Sequence, residues 1–225
     1  MATVSTCATP IKGTHLRIIE LDTCGVPVTG AAGLVIVTTG FVQVVQEAQY
    51  EEGTEFFERT ASGEACVNQK DDPILKRMQL TAQYCLFNVS GMAHVMSARE
   101  LMTGTPTTGT GFAVAEGSSS NRYSLEVWQE VAGSGACDAD GNQRYVYNAW
   151  PNVGSTMIGG YTIENGRSTL ETTSETRGAA ASWDTLVGGD WLPPGESVLT
   201  DEHWVWNVTT VAPPTAACDP TTLAA

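Results

Sequence analysis

The residue types that most often carry out catalysis are few in this chain and do not form a catalytic pattern. Its three histidines are His15, His94 and His203. None of them lies in a nucleophile elbow, a His-Glu-x-x-His zinc motif or a phosphate-binding loop. We therefore predict that each histidine is a surface or packing residue, that the chain is not an enzyme and that it needs no cofactor.

Two short segments have part of a ligand-binding motif but lack its essential residues. Asp138, Asp140 and Asn142 alternate as the first ligands of a calcium loop do. A glutamine then replaces the glycine of that loop, and an alanine replaces its bidentate glutamate, so we predict a polar hairpin turn. Residues 104–111 (GTPTTGTG) are glycine-rich but have no lysine, which excludes a phosphate-binding loop.

Six cysteines are spread along the chain without any Cys-x-x-Cys pair. This spacing excludes the usual zinc-ribbon and thioredoxin motifs. No basic and then apolar segment of the kind found in signal peptides opens the sequence, so we expect reduced, buried thiols in a cytosolic product.

Tryptophans are concentrated near the end of the chain. Trp183, Trp191, Trp204 and Trp206 lie within 24 positions, and aromatic rings on a β-sheet are able to stack on sugars. Core or interface packing is the simpler interpretation. A carbohydrate-binding module or adhesin that uses these tryptophans stays open as an alternative, as does a hydrolase that uses the carboxylates of Asp184 and Asp190.

Charge is strongly negative and unevenly distributed. The formal net charge is −14, from 25 acidic and 11 basic residues, which argues against a protein that grips nucleic-acid phosphates. Residues 23–46 contain no Asp, Glu, Lys or Arg, whereas residues 47–58 carry five glutamates and no base. The uncharged segment predicts strands covered on both faces, punctuated by glycines that argue against a membrane helix. The acidic segment predicts an exposed loop.

Strands dominate the predicted secondary structure. In residues 77–87, Met78, Leu80, Ala82, Tyr84 and Leu86 alternate with polar residues, so one face is predicted to be core and the other wet. Asn165-Gly166 predicts a hairpin turn. Asn88 predicts the N-cap of one short flanking helix, at about residues 89–102. We predict a single β-rich domain over residues 1–208, followed by a flexible, proline-containing arm over residues 209–225.

Several segments together carry a resemblance to a known family. They are residues 16–27 (LRIIELDTCGVP), 51–56 (EEGTEF) and 63–67 (GEACV), followed less distinctly by 145–151 (YVYNAWP) and 159–166 (GGYTIENG). With this pattern the chain resembles the major tail proteins of long, flexible-tailed phages of actinobacteria. The resemblance is strongest over residues 16–87.

The resemblance implies a structural, non-catalytic tail-tube subunit. It implies a mainly β, antiparallel sandwich or barrel-like fold with one flanking helix, and hexameric rings stacked into the hollow tube through which DNA passes to the host without specific binding. The expected partners are further copies of the chain, and the tape measure, tail terminator and distal tail proteins. The expected location is the virion tail, and the host cytoplasm during assembly, with no membrane contact.

Two sets of residues are candidates for roles in such a tube. The polar residues Arg77, Gln79, Thr81 and Gln83 are the candidate lumen-facing strand. The acidic segment is the candidate contact between rings, because family members place a long hairpin or loop there. Its candidate residues are Glu47, Glu51, Glu52, Glu55, Phe56, Phe57 and Glu58.

Overall fold

A computed structural model describes residues 7–86, 88–104, 108–117, 121–187 and 191–223. Antiparallel strands account for most of them, which confirms the predicted mainly β class. The strands are β1 (Thr9–Leu21), β2 (Val35–Thr38), β3 (Phe41–Glu51), β4 (Glu55–Arg59), β5 (Ala65–Lys70), β6 (Ile74–Tyr84), β7 (Arg99–Thr103), β8 (Thr108–Ala113), β9 (Arg122–Ala132), β10 (Tyr145–Glu164), β11 (Arg167–Thr176) and β12 (Val205–Thr209). The helices are α1 (Val89–Val95), α2 (Trp183–Val187) and the 3-10 turns Gly30–Ala32 and Gly133–Gly135.

One eight-stranded sheet folds over itself to make a sandwich. Its strand order is β2-β1-β9-β10-β11-β6-β3, and β12 pairs with the first half of β10 on the side opposite β9. Strand β10 belongs to both layers, because its first half pairs with β9 and β12 and its second half pairs with β11. A register shift between Gly154 and Met157, with Ser155 at φ 52°, lies where the strand passes from one layer to the other.

The sandwich does not close into a barrel. In the described part of the chain, β3 pairs with β6 alone, so the strand path ends at an open edge. The predicted antiparallel sandwich is thereby confirmed, and it is open.

The space between the two layers is the first hydrophobic core. The first layer contributes Leu16, Leu125 and Trp150, and the second contributes Leu80 and Tyr84. The alternation predicted for β6 is confirmed up to Tyr84, since each second residue from Met78 is buried. Leu86 lies beyond the strand and is exposed, and Phe87 lies outside the described residues.

A second core covers the opposite side of the first layer. Ile19, Trp128 and Tyr147 point to this side, where Trp183 of α2 and Val198 pack on them. Strands β1, β9 and β10 therefore have long runs of consecutive buried residues, because both faces of these strands are covered.

The uncharged segment divides into two strands with different environments. Strand β2 is covered on both faces as predicted, with Ile36 in the first core and Val35 and Val37 in the second. Strand β3 is not, because it forms the edge of the second layer and its outer side is exposed. Gly40 separates the two strands at a point where a Cβ would meet Leu86 Cβ at 2.2 Å.

The predicted helix is shorter than expected. Asn88 is its N-cap, and its side chain accepts a hydrogen bond from the Gly91 amide at 2.8 Å. The helix ends at Val95 because Ser97 adopts a left-handed conformation (φ 51°). The following segment, predicted to be helical up to residue 102, is strand β7, which pairs with β8.

The chain after β12 returns to the body instead of projecting from it. The Thr221 amide donates to the Val35 carbonyl at 2.8 Å, and the Val35 amide donates to the Thr221 carbonyl at 2.8 Å. The Ala217 amide donates to the Val37 carbonyl at 3.1 Å. This course along the outer edge of β2 differs from the flexible arm expected from the prolines of residues 209–225. Residues 224 and 225 lie outside the described part.

Candidate assembly surfaces

The outward side of the second layer carries a polar network that joins three strands. Arg77 of β6 donates through Nε to Gln49 Oε1 of β3 at 2.9 Å and through Nη1 to Glu175 Oε2 of β11 at 3.0 Å. Gln49 Nε2 in turn donates to Gln79 Oε1 at 3.0 Å. Because each bond joins neighbouring strands on one side of the sheet, the network links the three strands into one continuous polar surface.

The prediction that Arg77, Gln79, Thr81 and Gln83 share one face is confirmed by the register and by their partial burial. Their role as a lumen wall stays a prediction. Gln83 Nε2 donates to Glu171 Oε2 of β11 at 2.6 Å, which extends the polar surface along the strands.

Three glutamates belong to this surface, and sequence reasoning placed none of them there. Glu47 lies directly opposite Gln79, while Glu171 and Glu175 lie opposite Gln83 and Gln79 on the other side. The outward residues of β11 alternate with buried Leu170, Thr172 and Ser174. This alternation in the sequence could have predicted which side of β11 faces outward. The signal was weak because two of the inward residues are small and polar.

Among the described strands, the second layer ends at β3 on one side and at the second half of β10 on the other. Strand β3 pairs only with β6 in the described part of the chain, as noted above. At the other end, residues 157–164 of β10 pair with β11, whereas the register with β9 ends at Val153. Among the described strands this layer therefore has four members, and no strand pairing is formed along the outer edges of β3 and of the second half of β10. Such edges are templates for pairing with another strand.

The acidic segment is a hairpin arm, which corrects the prediction of a loop. Glu47 and Glu51 lie in β3, and strand β4 begins at Glu55. Strands β4 and β5 pair with each other as a separate two-stranded sheet, and all their residues are exposed. The structure thus separates the candidate residues, because Glu47 is on the polar surface while Glu55, Phe56, Phe57 and Glu58 are on the arm.

The arm is held at a narrow neck. The Asp71 amide donates to the Thr54 carbonyl at 3.0 Å, and a Cβ on Gly53 would meet the Asp71 carbonyl oxygen at 1.9 Å. Glu52 at the neck forms an exposed ion pair with Lys70 at 3.5 Å. Beyond the neck, half-exposed Phe56 and Phe57 lie on opposite faces of β4, so both faces of the arm present an aromatic ring to solvent.

The C-terminal tryptophans have different environments. Trp183 is buried in the second core, and Trp191 packs against Trp128 and Tyr147 with ring centroids 5.2 and 5.8 Å apart. Trp204 and Trp206 are 39% and 47% exposed. The sugar-binding alternative therefore has two accessible rings instead of four.

A buried ion pair joins the first layer to its C-terminal cover. Arg17 Nε donates to Glu126 Oε2, Nη2 donates to the Val187 carbonyl at 2.7 Å, and the guanidinium lies 4.3 Å from the Trp191 ring. Glu126 is 0% exposed. Burial raises the pKa of Glu126 above its ordinary value, and the neighbouring Arg17 opposes that shift.

The remaining candidate residues do not converge on a reactive centre. Asp138 accepts hydrogen bonds from the Asp140 and Asn142 amides at 2.9 and 2.8 Å, as expected for the predicted polar turn, and these bonds with Asn142 lower its pKa. Asp184 lies in α2, whereas Asp190 lies outside the described residues. Within the described ranges, no three His, Cys, Asp or Glu side chains are grouped to hold a metal ion.

The histidines and cysteines were predicted to be packing or surface residues and buried thiols, respectively. His203 Nδ1 is 2.8 Å from Thr176 Oγ1, and burial lowers the pKa of both His203 and His15. All six cysteines are free, as predicted, but they are exposed and not buried.

Comparison with known proteins gives no family. No family model matches the chain, and no curated protein matches it. Of the helices in the described ranges, none has the length and apolar character needed to cross a membrane.

Proposed function

We propose that the chain is a non-catalytic structural subunit that assembles with copies of itself into a hollow tube, as the resemblance to phage major tail proteins implies. The observation that supports this proposal is the second layer, which in the described part of the chain has four strands, a polar outward face and no further strand paired at either end. A sheet with two open edges is able to continue from one copy into the next.

The strand directions favour a closed ring. Strands β3, β6, β11 and β10 are successively antiparallel, so β3 and the second half of β10 run in opposite directions. When copies are related by rotation about an axis along the strands, β10 of one copy meets β3 of the next in antiparallel orientation. An even number of strands in each copy keeps the whole ring antiparallel, and the contact is of the heterologous type that closes into rings.

The outward polar surface supports a role as the wall of a DNA channel. Glu47, Glu171 and Glu175 contribute three carboxylates to this surface, and Arg77 contributes one guanidinium. A surface with excess negative charge repels phosphates, and its glutamine and threonine side chains keep it wet. DNA would thus pass such a wall without being retained.

The β4–β5 arm is proposed to join successive rings. It leaves the edge of the second layer at the neck, is exposed along its whole length, and presents Phe56 and Phe57 on opposite faces. Exposed aromatic rings on a projecting hairpin are typical anchors for a partner surface.

Negative-stain electron microscopy of the purified chain over a range of concentrations tests the proposal. We expect hollow tubes or rings, six-fold according to the resemblance. Particles that remain monomers at every concentration would refute it. Saturable binding to a glycan array by such monomers would instead favour the carbohydrate-binding module.

A second experiment separates the arm from the ring. Replacing residues 54–70 by a two-residue Asn-Gly turn removes β4 and β5 but leaves the β3–β6 register intact, since Gly53 and Asp71 already lie together. We expect rings that do not elongate. The intact arm with Glu55→Gln and Glu58→Gln is the matched control for charge alone. Tubes of normal length from the excised variant would show that the arm has no role between rings.

A further inference from the structure

The second half of β10 carries two isoleucines that are partly exposed among the described residues. Ile158 and Ile163 are 43% and 75% exposed. Ile158 lies opposite Thr172 and Ile163 lies opposite Ser168. Residues that face each other across antiparallel strands point to the same side of the sheet. Because Thr172 is buried in the interior of the sandwich, both isoleucines point to the core-facing side, beyond the point where the core ends.

A groove with similar character lies at the other bare edge. It has a volume of about 420 Å³ and opens between β3 and the end of the first layer. Val44 and Trp150 contribute to it from the first core, and Trp204 lines it with a half-exposed ring. The amides of Gln129 and Asn148 supply a polar margin. The groove therefore lies on the core-facing side of β3.

Pairing of the two edges would bring these surfaces together. In a sheet that continues from one copy to the next, the core-facing side is the same side throughout, so the isoleucines of β10 extend over the groove beneath the neighbouring β3. We propose that Ile158 and Ile163 of one copy fill the groove lined by Val44, Trp150 and Trp204 of a second copy. We call these two isoleucines the plug. The inference rests on the proposed function and identifies the contact by which one copy selects the correct edge of its neighbour.

A second copy is the occupant that the geometry favours. The plug and the groove are at opposite ends of one four-stranded layer, and their strands run antiparallel. Backbone pairing alone is indifferent to sequence, and the polar faces of both strands are solvated with or without a partner. The apolar plug gives the pairing its specificity, because it is buried only when the correct edges meet on the correct side.

The test compares two neighbouring exposed positions on β10. Ile163→Asn alters the plug, and Thr162→Asn places the same residue on the outward side, so the two variants share the loss of β-propensity. We expect Ile163→Asn to raise the critical concentration for assembly by at least about tenfold, as loss of most of a buried aliphatic side chain does. Thr162→Asn should assemble almost as the unaltered chain does, and melting curves check that both variants fold.

A mixing experiment tests the pairing directly. Trp204→Ala alters the groove but leaves the plug intact, whereas Ile163→Asn leaves the groove intact. Neither variant alone should polymerise at concentrations where the unaltered chain does. Their mixture should give dimers in sedimentation velocity, because one intact plug and one intact groove make one interface and the next contact is defective on both sides.

The outcomes distinguish this inference from the proposed function. An unaltered chain that never assembles overturns both. Tubes from the unaltered chain, together with equal assembly by Ile163→Asn and Thr162→Asn, overturn the plug and leave the tube proposal standing. Mixtures that give no dimers also overturn the plug, as would glycan binding lost in Trp204→Ala while assembly is unchanged.

Discussion

The buried ion pair between Arg17 and Glu126 gives a quantitative prediction about stability. Replacing Arg17 by Met leaves the fully buried carboxylate of Glu126 without its charged partner, and it removes the donor to the Val187 carbonyl and the cation over the Trp191 ring. Breaking a buried pair by removing one partner costs about 3–5 kcal/mol. For a chain of this length, each kcal/mol corresponds to about 2–4 °C in Tm. We therefore expect Arg17→Met to melt about 6–20 °C lower.

A double variant distinguishes the cost of an unpaired buried charge from the loss of the side chains themselves. Arg17→Met with Glu126→Leu replaces both partners by apolar side chains, so it should lose much less stability than the two single variants together. Lys12→Met is a matched control on the same two strands, because Lys12 and Glu130 form an exposed pair at 3.1 Å. Removal of such a pair costs at most about 1 kcal/mol.

Urea unfolding below the assembly concentration measures the stability of the unaltered chain, the two single variants, the double variant and the Lys12→Met control. Agreement of the double variant with the sum of the singles to within about 0.5 kcal/mol would show that the two side chains do not interact. A single Arg17→Met that is as stable as the Lys12→Met control would refute the reasoning from burial.

Three further predictions concern other parts of the chain. Asn88→Ala removes the acceptor for the Gly91 amide and should cost about 1 kcal/mol in urea unfolding; an unchanged midpoint would contradict the cap. Burial lowers the pKa of His15 and His203 below the ordinary value of about 6.5. The folded chain then binds fewer protons than the unfolded chain, so stability is complete above pH 6.5 and falls as the pH is lowered through the folded values. His15→Gln with His203→Gln should flatten the curve of Tm against pH between 7.5 and 5.5, and an equally steep curve would show that other groups titrate. Thiol titration of the freshly purified monomer should find six reactive cysteines without denaturant; a number that rises on unfolding would show that some are shielded.

The parts of the fold that could be predicted are strands with one solvent-exposed face and turns with characteristic residues. The alternation along β6 and the Asn165-Gly166 turn, with Gly166 at φ 127°, were read correctly because each depends on neighbouring residues alone. The continuous apolar residues of β2 also indicated correctly that both of its faces are covered.

The errors arose where distant parts of the chain determine the environment. The exposed edge of β3 depends on which strand pairs with it, and the uncharged residues in its first half do not encode that partner. The helix was predicted too long because the left-handed Ser97 is set by the following strand pairing, not by helix propensity. Glu171 and Glu175 join the polar surface only because β11 lies beside β6, although 88 and 96 positions separate them from Gln83 and Gln79 in the sequence.

The strip of chain that lies along β2 limits the ways in which the sheet can polymerise. A monomer with two reactive ends forms linear chains or rings, whereas one with a third reactive end forms branched networks. Residues 217–221 occupy the hydrogen-bonding groups of Val35 and Val37 at one end of the strand path, so that end is already terminated within the same molecule. With β2 capped, growth through the outer edges of β3 and of the second half of β10 follows a ring and does not branch at β2.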